Sequence, residues 1–410
     1  MAVNSNFETI EHCRICSASD LVEILNLGNQ PPANSLYRPE EEPPASIPLR
    51  LFYCTECKTL QLRESVDPHH LFSKYVWVTG TSKTAVEYSY TFAQEALKRS
   101  PQKAPFVIEI ASNDGTFLRR FQEKSCKVLG IDPAENLAKA AVDESIPTLI
   151  RFFSEKVSQE LIETHGQADI VIARNVLPHV REVHSVVKGI GGLLKPNGLG
   201  IIEFHDSKLI LEELQYDYIY HEHLFYFTLS SMESLLLSHG LKIFDIYRSP
   251  ISGGSWVVYF SHKTKAKTSA LKMSLKDEDT SAVNSLETWL DFRRRAKIHR
   301  EKLREITFSS NTKILAYGAS ARSSTLLNFC KIGHDQISAI VDKNPLKHGL
   351  LTPMSKIPII SYEQGIQRAK AEELILLLAW NFKQEVKEDL CNCGYKGRFL
   401  LPLPDKPCLL

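Results

Sequence analysis

Four proton-handling side chains stand in consecutive positions at Tyr220, His221, Glu222 and His223. Imidazole has the ordinary pKa closest to neutrality, so a histidine beside a carboxylate and a phenol is a candidate general base with hydrogen-bonding neighbours. Two histidines within four residues also occur on ordinary surfaces and in well-packed cores. The segment by itself therefore leaves a catalytic role and a structural role open.

Four of the nine cysteines form two Cys-x-x-Cys knuckles, Cys13 with Cys16 and Cys54 with Cys57. Two such knuckles place four thiolates on one cation at about 2.3 Å without straining the backbone. The spacing predicts a closed, tetrahedral zinc site that stabilises a small N-terminal module and leaves no open position for substrate. A nucleic-acid-binding ribbon is the alternative, although basic residues are not concentrated between the knuckles.

Composition narrows the classes of partner. The 410 residues include 49 Lys plus Arg against 48 Asp plus Glu, so no global field attracts nucleic acid or an acidic membrane. The N-terminal residues lack a basic region followed by an apolar run, and no apolar segment approaches the roughly 20 residues that span a bilayer. We expect a cytoplasmic protein with neither nucleic acid nor membrane as a partner.

Strands alternate with helices in two parts of the chain, which predicts an α/β fold with doubly wound parallel sheets. The first part has a helix at 81–100 and strands at 106–110, 127–131, 170–173 and 200–204. The second part has strands at 313–317, 339–341 and 374–378. A faint repeat, which aligns Ala111-Ser112 with Ala319-Ser320, indicates that the two parts are related.

The charged segment at 274–306 separates these two parts. Apolar residues at helical spacing predict one long helix there. Its run Arg293-Arg294-Arg295 is typical of a solvated face, with phosphate binding as the alternative.

The first strand of the middle part runs into the turn Ala111-Ser112-Asn113-Asp114-Gly115, and a helix follows. Such a turn aims backbone N–H groups and a helix N-terminus at the polar end of a ligand. A pyrophosphate would be hindered by Ala111 and Asn113 and repelled by Asp114. S-adenosylmethionine (SAM) carries no phosphate and has cationic amino and sulfonium groups, so this turn favours SAM.

Asp132 ends the second strand, where an acid can accept hydrogen bonds from both ribose hydroxyls of SAM. A turn acid that caps the next helix is the alternative. Asn175 follows the 170–173 strand, at the edge where small-molecule sites of open α/β sheets lie. The full set of predicted SAM contacts is Glu109, Ala111, Ser112, Asn113, Asp114, Gly115, Asp132, Pro133 and Asn175.

Taken together, these motifs resemble the nucleotide-sugar C-methyltransferases. The matching segments run in order through essentially the whole chain: CRIC, LNLGNQPPANSL, CTEC, EIASNDGTFL, ARNVLPHV, YIYHEH, GGSW, YGASARSSTLLNF, DKNPLKHG and LLLAWNF. The resemblance implies a SAM-dependent enzyme that methylates C3 of a dTDP-linked 4-keto-deoxysugar. It further implies a monomer with a zinc module over 1–75, a SAM methyltransferase domain over 76–262, and a Rossmann-like domain over 263–410 that helps to hold the sugar nucleotide.

The same resemblance assigns roles around the sugar. It implies that His223 is the base, that Tyr220, Glu222 and His179 surround the sugar, and that Tyr75 contacts the substrate. A 4-keto group acidifies the C3 hydrogen, and Tyr220 and His179 have the chemistry to donate hydrogen bonds to the enolate oxygen. Glu222 could orient an imidazole or bond a sugar hydroxyl, and its spacing leaves both open.

In the C-terminal part, Gly318 and Ser320 could seat the diphosphate through backbone N–H groups, and Lys347 through its ammonium group. A merely structural second α/β domain is the alternative. Two other classes of function also remain: an O- or N-methyltransferase of a small molecule, and a zinc protein that binds nucleic acid.

The chain departs from the pattern of the family at several positions. Ala111 stands where glycine is common, Ser252 where the family has histidine, and Val257 where it has arginine. Arg322-Ser323 replaces a frequent Lys-Gly pair. The changes at 252 and 257 bear on which sugar or nucleotide is held.

Overall fold

The N-terminal module is built on antiparallel strands. The computed structural model describes residues 7–251, 254–310, 313–370 and 374–410. The elements of the module are β1 (Phe7–Thr9), β2 (Leu21–Gln30), β3 (Ile47–Cys54), β4 (Leu60–Leu62), β5 (Glu64–Val66) and the short helix α1 (Pro68–Phe72). Strands β2, β3 and β4 form one sheet, and β1 pairs with β5. The first knuckle lies before β2, and the second begins at the last residue of β3 and continues into the turn before β4, so the sheet brings them together.

The middle part is a seven-stranded sheet with helices on both faces. Its elements are α2 (Lys83–Arg99), β6 (Phe106–Ile110), α3 (Thr116–Gln122), β7 (Lys127–Asp132), α4 (Glu135–Asp143), β8 (Thr148–Ile150), α5 (Glu155–His165), β9 (Ala168–Arg174), α6 (Val183–Leu193), β10 (Leu194–His205), α7 (Ser207–Glu212), β11 (Phe225–Tyr226), α8 (Leu229–Leu237), β12 (Lys242–Ser249) and β13 (Ser255–Ser261). The sheet order is β12-β13-β10-β9-β6-β7-β8. All four strands predicted for this part are confirmed, and β6 has the predicted bounds.

The order of the chain reverses at the centre of this sheet, because β6 lies between β7 and β9. Strands β6 to β10 are parallel, whereas β13 runs antiparallel to β10 and β12 antiparallel to β13. A crevice forms at such a reversal, beyond the carboxyl ends of the strands. We call this the carboxyl edge of the middle sheet.

The C-terminal part contains a second sheet of similar order. Its elements are α9 (Ser269–Ser281), α10 (Leu286–Phe308), β14 (Ile314–Tyr317), α11 (Ala321–Cys330), β15 (Ile337–Val341), β16 (Ile359–Ile360), α12 (Tyr362–Ala369), β17 (Leu374–Leu377), α13 (Lys383–Asn392), β18 (Arg398–Leu401) and β19 (Cys408–Leu409). The sheet order is β16-β15-β14-β17-β18-β19, with β19 antiparallel and the other pairs parallel. The central position of β14 matches that of β6, which supports the predicted relationship.

The single long helix predicted over 274–306 is wrong, because α9 and α10 are separate helices. Ala282 adopts a left-handed backbone with φ of 53° and ends α9. The carbonyl of the buried Val283 accepts a hydrogen bond from Trp289 Nε1 at 2.7 Å, which fixes the turn. Helical spacing of apolar residues continues on both sides of the turn, so periodicity alone conceals it.

The arginine run is also more than a solvated face. Arg293 donates to the main-chain carbonyl of Glu23 at 3.3 Å, and Arg295 donates to that of Leu211 at 3.1 Å. Only Arg294 matches the predicted solvated face, because it is exposed and forms a salt bridge with Asp291 on the same helix. Helix α10 therefore binds both the N-terminal module and the middle part.

The strand β11 comes from the middle part of the chain but belongs to the N-terminal sheet, where it pairs antiparallel with β4. Leu62 N–H also donates to the carbonyl of Leu224 at 2.9 Å, directly before β11. The Tyr220–His223 segment is therefore carried on the edge of the sheet that contains the second cysteine knuckle.

Candidate active site

The four knuckle thiols fit one zinc ion. Their Sγ atoms all lie within 4.8 Å of one another, with Cys13 and Cys57 3.6 Å apart and Cys16 and Cys54 3.5 Å apart. A tetrahedron with Zn–S bonds of about 2.3 Å has edges of about 3.8 Å. Gln61 Nε2 donates to Cys13 Sγ at 3.0 Å, an outer hydrogen bond of the kind that orients metal ligands. With four protein ligands, the site is of the structural type.

The turn after β6 has the backbone of a ligand-binding loop. Ala111, Asn113 and Gly115 have φ of 53°, 54° and 75°, and left-handed backbone is costly for the first two. The Asp132 carboxylate accepts hydrogen bonds from the N–H groups of Asn113 and Ala134, each at 2.8 Å. It therefore ties the turn to the start of α4, and its remaining lone pairs are available to ribose hydroxyls.

Two polar atoms beneath this turn are buried without a hydrogen-bond partner among the described residues. They are Ser112 Oγ and Glu109 Oε2. A side chain on Gly130 of the neighbouring strand would collide with Ser112 Oγ, so glycine keeps space beside that hydroxyl. Orphaned buried polar atoms under the predicted SAM loop are consistent with a ligand that supplies their partners.

Glu109 belongs to a buried charged group on one face of the sheet. Arg174 Nη1 lies 3.5 Å from Glu109 Oε1, and Arg174 Nε donates to Glu203 Oε2 at 2.8 Å. One guanidinium cannot neutralise two carboxylates, and burial raises the pKa of Glu109 to about 8. Glu109 is then protonated at neutral pH, whereas Glu203 has the shorter contact with Arg174. Direct contact between Glu109 and SAM stays a prediction.

The remaining predicted SAM residues line the same carboxyl edge. Pro133 lies between the end of β7 and α4, and Asn175 follows β9 with φ of 52° and donates its N–H to the carbonyl of Glu203 at 2.8 Å. The structure thus brings every predicted SAM residue to the carboxyl edge or directly beneath it.

A segment that we call the strap, residues 75–81, crosses this edge. Asn113 Oδ1 accepts a hydrogen bond from Thr79 N–H at 2.9 Å, and Asp114 Oδ2 accepts one from Gly80 N–H at 2.8 Å. A Cβ at Gly80 would lie 2.6 Å from Asp114 Oδ2, so the close approach requires glycine. The side chains of Asn113 and Asp114 in the SAM loop therefore form hydrogen bonds with the strap.

The Tyr220–His223 segment is a turn and not a strand. His223 N–H donates to the carbonyl of Tyr220 at 2.9 Å, and the two rings lie 4.0 Å apart between centroids. His221 points away: its Nε2 lies 3.3 Å from the carbonyl of Pro48 in the N-terminal module. The turn therefore separates the two histidines and places only His223 beside Tyr220.

Hydrogen bonds to main-chain carbonyls set the tautomers of two histidines. His223 Nδ1 lies 3.0 Å from the carbonyl of Tyr218, and His179 Nδ1 lies 2.7 Å from that of Glu222. A carbonyl only accepts, so each Nδ1 carries the proton and each Nε2 offers a lone pair. Burial lowers the pKa of His179 to about 4 and that of His223 well below its ordinary value, so both rings are neutral near pH 7.

Hydrogen-bond donation by His179 to the enolate oxygen stays a prediction, although the tautomer set by this carbonyl presents an acceptor instead. In this geometry the free nitrogen of His179 is an acceptor, and its ring centroid lies 4.9 Å from that of His223. Tyr220 keeps the predicted donor chemistry, because burial raises the pKa of its hydroxyl and the phenol stays protonated.

The carboxylate of Glu222 forms no hydrogen bond with an imidazole within the part of the chain that the structure describes. Its Oε1 accepts a hydrogen bond from Asn34 Nδ2 at 2.6 Å, and its Oε2 accepts one from Tyr75 OH at 3.1 Å. Burial raises the pKa of Glu222 to about 7 despite these two donors. Sequence reasoning missed Asn34. It lies in the proline-containing loop of the N-terminal module, and the only sequence signal at that position is the LNLGNQPPANSL match to the family.

The turn after β14 repeats the geometry of the SAM loop. The Asp342 carboxylate accepts hydrogen bonds from the N–H groups of Ala319 at 2.8 Å and Asn344 at 2.9 Å. Gly318 N–H donates to the end of β15, as Ser112 N–H does to β7. Ser112 and Gly318 therefore occupy equivalent positions in the two turns. The repeat predicted from the sequence aligned Ser112 with Ser320 instead, two positions further along the chain.

The predicted diphosphate residues surround this second turn. Lys347 Nζ donates to the carbonyl of Ala319 at 2.7 Å and lies 3.4 Å from Asp342 Oδ2. Ser320 caps α11 through its side chain, which accepts from Ser323 N–H. Their contact with a diphosphate stays a prediction, and Lys347 is paired within its own domain here.

Besides Ala111, two more departures from the family pattern can be located. Val257 is fully buried in β13, opposite Glu203 of β10, so no charged group projects from that position. Arg322 contacts Asp217, three residues before Tyr220. Ser252 lies outside the described residues.

Comparisons with known proteins support this organisation. Family models match three consecutive parts of the chain: a zinc binding domain over residues 13–72, a methyltransferase domain over 87–246 and a C-methyltransferase C-terminal domain over 250–404. The fold and the site define a methyltransferase with an N-terminal zinc module. Its cofactors are SAM and zinc, as predicted.

Whole-chain similarity specifies the family. The C-methyltransferase NovU of Streptomyces niveus is 32% identical over 413 residues, which cover 97% of this chain and 96% of NovU. The chain belongs to the C-methyltransferase family.

Weaker similarities extend to other methyltransferases. A ubiquinone biosynthesis O-methyltransferase of Rhodopseudomonas palustris (strain BisA53) is 29% identical over 97 residues, which cover 23% of this chain and 38% of that protein. The crystal structure of magnesium protoporphyrin IX methyltransferase from Synechocystis PCC 6803 is 13% identical, with a TM-score of 0.33, and covers 43% of this chain and 78% of that one. Among the described residues, no helix is long and apolar enough to span a membrane.

Proposed function

We propose that this protein transfers a methyl group from SAM to C3 of a dTDP-linked 4-keto-6-deoxysugar in the biosynthesis of a branched-chain deoxysugar. The observation that carries the proposal is the orientation of His223. Its Nδ1–H is bound to the carbonyl of Tyr218, and its Nε2 lone pair is left for a proton beside the phenol of Tyr220.

A carbon nucleophile requires this arrangement. A C3 hydrogen next to a 4-keto group is acidic, and a neutral imidazole can accept it without first losing a proton. As the proton moves to His223 Nε2, negative charge develops on the oxygen at C4. Tyr220 OH would donate to that oxygen, and a donor placed in advance is worth several kcal/mol of the barrier.

The other residues hold and orient the reactants. His179 Nε2 would accept a hydrogen bond from a sugar hydroxyl, and Tyr75 is held beside the site by Glu222. SAM supplies an electrophilic methyl group when bound. Asp132 would accept its ribose hydroxyls, and the turn after β6 would bind its amino-acid end.

The second α/β part would hold the sugar nucleotide. The turn at Gly318 and Ser320, with the N-terminus of α11 behind it, would seat the diphosphate, and Lys347 would exchange its bond with Asp342 for a phosphate oxygen. The pocket would then keep the sugar and the methyl donor close, so that proximity supplies much of the rate.

The test is turnover of SAM with dTDP-4-keto-6-deoxyglucose and with its 2-deoxy analogue. We expect a mass increase of one methyl group, and NMR should place the methyl on carbon. In D2O without SAM, the enzyme should also exchange the C3 hydrogen of the substrate. A methyl on oxygen or nitrogen would favour an O- or N-methyltransferase and contradict the proposal.

Two variants separate the roles of the neighbouring histidines. His223→Asn keeps an N–H near Nδ1 but has no Nε2, so we expect C3 exchange and methyl transfer to fall by about 10²- to 10⁴-fold, with SAM binding unchanged in calorimetry. The control His221→Gln keeps a donor at the position of Nε2 for the carbonyl of Pro48 and should remain active. Near-normal turnover by His223→Asn would reject His223 as the base.

A further inference from the structure

The short 3₁₀ turn Tyr216–Tyr218, which precedes the candidate base, is bound to the C-terminal part through buried side chains. Tyr216 OH lies 2.9 Å from His299 Nδ1 on α10. Asp217 is 1% exposed, and its carboxylate accepts hydrogen bonds from the next domain only, within the described residues. Two consecutive side chains of the turn thus point into the C-terminal part.

Asp217 is held by a two-point ion pair. Arg322 Nε donates to Asp217 Oδ2 at 3.0 Å, and Arg322 Nη2 donates to Oδ1 at 3.1 Å. Trp380 Nε1 adds a third hydrogen bond to Oδ2 at 2.9 Å. A paired guanidinium and carboxylate fix both distance and plane, which a lysine cannot do.

The residue that holds Arg322 is itself well anchored. Arg322 lies in the first turn of α11, which Ser320 caps, and its guanidinium carbon lies 4.7 Å from the ring centroid of Trp380. Asp217 therefore meets a donor whose backbone and side-chain plane are both constrained.

The third residue of the turn, Tyr218, contacts His223 in two ways. Its carbonyl accepts from His223 Nδ1 at 3.0 Å, and its ring lies 4.4 Å from the His223 ring. The Tyr218 ring also lies 4.1 Å from the His205 ring, and the guanidinium carbon of Arg322 lies 5.4 Å from its centroid. His205 Nε2 lies 3.0 Å from Gln215 Oε1, which keeps that ring in place as well.

We propose that Arg322 is a positioning residue that holds the general base His223 in its working tautomer, through Asp217 and the main chain of Tyr218. The base is thereby oriented by the domain that would hold the sugar nucleotide. The effect of Arg322 on catalysis rests on the proposed function. Its effect on the tautomer of His223 can be measured without substrate.

The first experiment is ¹⁵N NMR of the histidine rings in the full-length protein, with the His223 signals assigned by their loss in His223→Asn. In the wild type we expect a single Nδ1–H tautomer for His223. Arg322→Lys keeps the charge but loses the two-point geometry, so the Nε2–H tautomer should become populated. The matched control is Arg295→Lys, which weakens a different contact of the C-terminal part with the middle part, between α10 and the carbonyl of Leu211, and should leave the His223 signals unchanged.

Kinetics supply the second readout. For Arg322→Lys we expect kcat and the rate of C3 exchange to fall together by about 10- to 100-fold, with SAM affinity unchanged. If Arg322→Lys does not fold, Trp380→Phe removes one of the three hydrogen bonds to Asp217 and should give a smaller shift of the same kind. An unchanged His223 tautomer in the folded variants would overturn the inference, whatever the substrate proves to be.

Discussion

At His223 and His179, one hydrogen bond per ring determines the chemistry that each can perform. Both Nδ1 atoms donate to main-chain carbonyls, so both Nε2 atoms are acceptors, and burial disfavours the cationic form of each ring. The site therefore offers two neutral acceptors and the phenol of Tyr220 as donor. This combination suits removal of a proton from carbon beside a carbonyl oxygen that becomes charged.

Glu222 makes stability depend on pH in a predictable direction. Its pKa is about 7 in the folded chain, against 4.5 for an ordinary glutamate, so the folded state binds the proton more tightly than the unfolded state. Its contribution is complete below about pH 4.5 and is lost as pH rises towards 7. Between pH 4.5 and 8, we expect the wild type to lose up to roughly 3 kcal/mol more stability than Glu222→Gln.

Urea unfolding of both proteins across this pH range measures the difference. The control is Glu144→Gln, which changes an exposed carboxylate at the end of α4. Its pH dependence should follow that of the wild type. Parallel pH curves for wild type and Glu222→Gln would show that Glu222 is already ionised below pH 7.

At the scale of elements, the strap connects the two halves of the candidate site. Tyr75 OH binds Glu222 at one end, and Thr79 and Gly80 bind the SAM loop at the other. Between these contacts, the side chain of Asn136 bonds both the N–H and the carbonyl of Tyr75, at 3.1 and 2.9 Å. Trp77 remains 53% exposed, so the strap is held mainly by hydrogen bonds and not by apolar burial.

Asn136→Ala removes two of these hydrogen bonds and should loosen the strap. Each is worth about 1 kcal/mol, so we expect faster hydrogen–deuterium exchange across residues 75–81 and SAM binding weakened by about 5- to 10-fold. Mass spectrometry and calorimetry measure the two effects. Asn197→Ala, an exposed asparagine in β10, is the control. Normal exchange in Asn136→Ala would show that the other contacts suffice.

Sequence patterns predicted the elements well where burial is continuous. β6, β7, β9 and β10 were predictable because strands covered on both faces are apolar along their length. The break between α9 and α10 was not, since a left-handed residue at Ala282 leaves the surrounding periodicity intact. The similarity of the turns after β6 and β14 was predicted from the sequence, but the predicted alignment is shifted by two positions. The shift could not be seen in the sequence, because backbone hydrogen bonds define which residues of the two turns are equivalent.

At the scale of the whole molecule, all three parts of the chain meet along residues 217–226, which include the Tyr220–His223 turn. The N-terminal module supplies Asn34 and the strand that pairs with β11, and the C-terminal part supplies Arg322. The zinc site therefore stabilises the sheet that carries the candidate base, although no knuckle cysteine is among the residues proposed to contact the substrate.

Removing zinc should therefore impair turnover more than SAM binding. Without the ion, four crowded thiols no longer hold the loop between β3 and β4, so the pairing of β4 with β11 should loosen. We expect chelation to abolish methyl transfer and increase amide exchange at Phe225 and Tyr226, while SAM affinity changes by less than about threefold. Metal analysis, exchange and calorimetry provide the readouts.

Two serine variants distinguish loss of zinc from the loss of any cysteine side chain. Cys57→Ser should lose zinc and reproduce the chelated state, whereas Cys391→Ser, at an exposed cysteine on α13, should retain zinc and activity. Full turnover by zinc-free protein would show that the module is dispensable for the reaction.

The sequence by itself determined the cofactors, the α/β class and the identity of the candidate base. Short-range patterns carry that information: two Cys-x-x-Cys knuckles, a strand that ends in an acidic turn, and the motif order of the family. Only the tertiary structure decided the tautomers of His179 and His223, the partners of Glu222 and the contacts of Arg322. These depend on contacts between residues far apart in the chain, and the direction of a hydrogen bond is set by the group that folding brings opposite the ring.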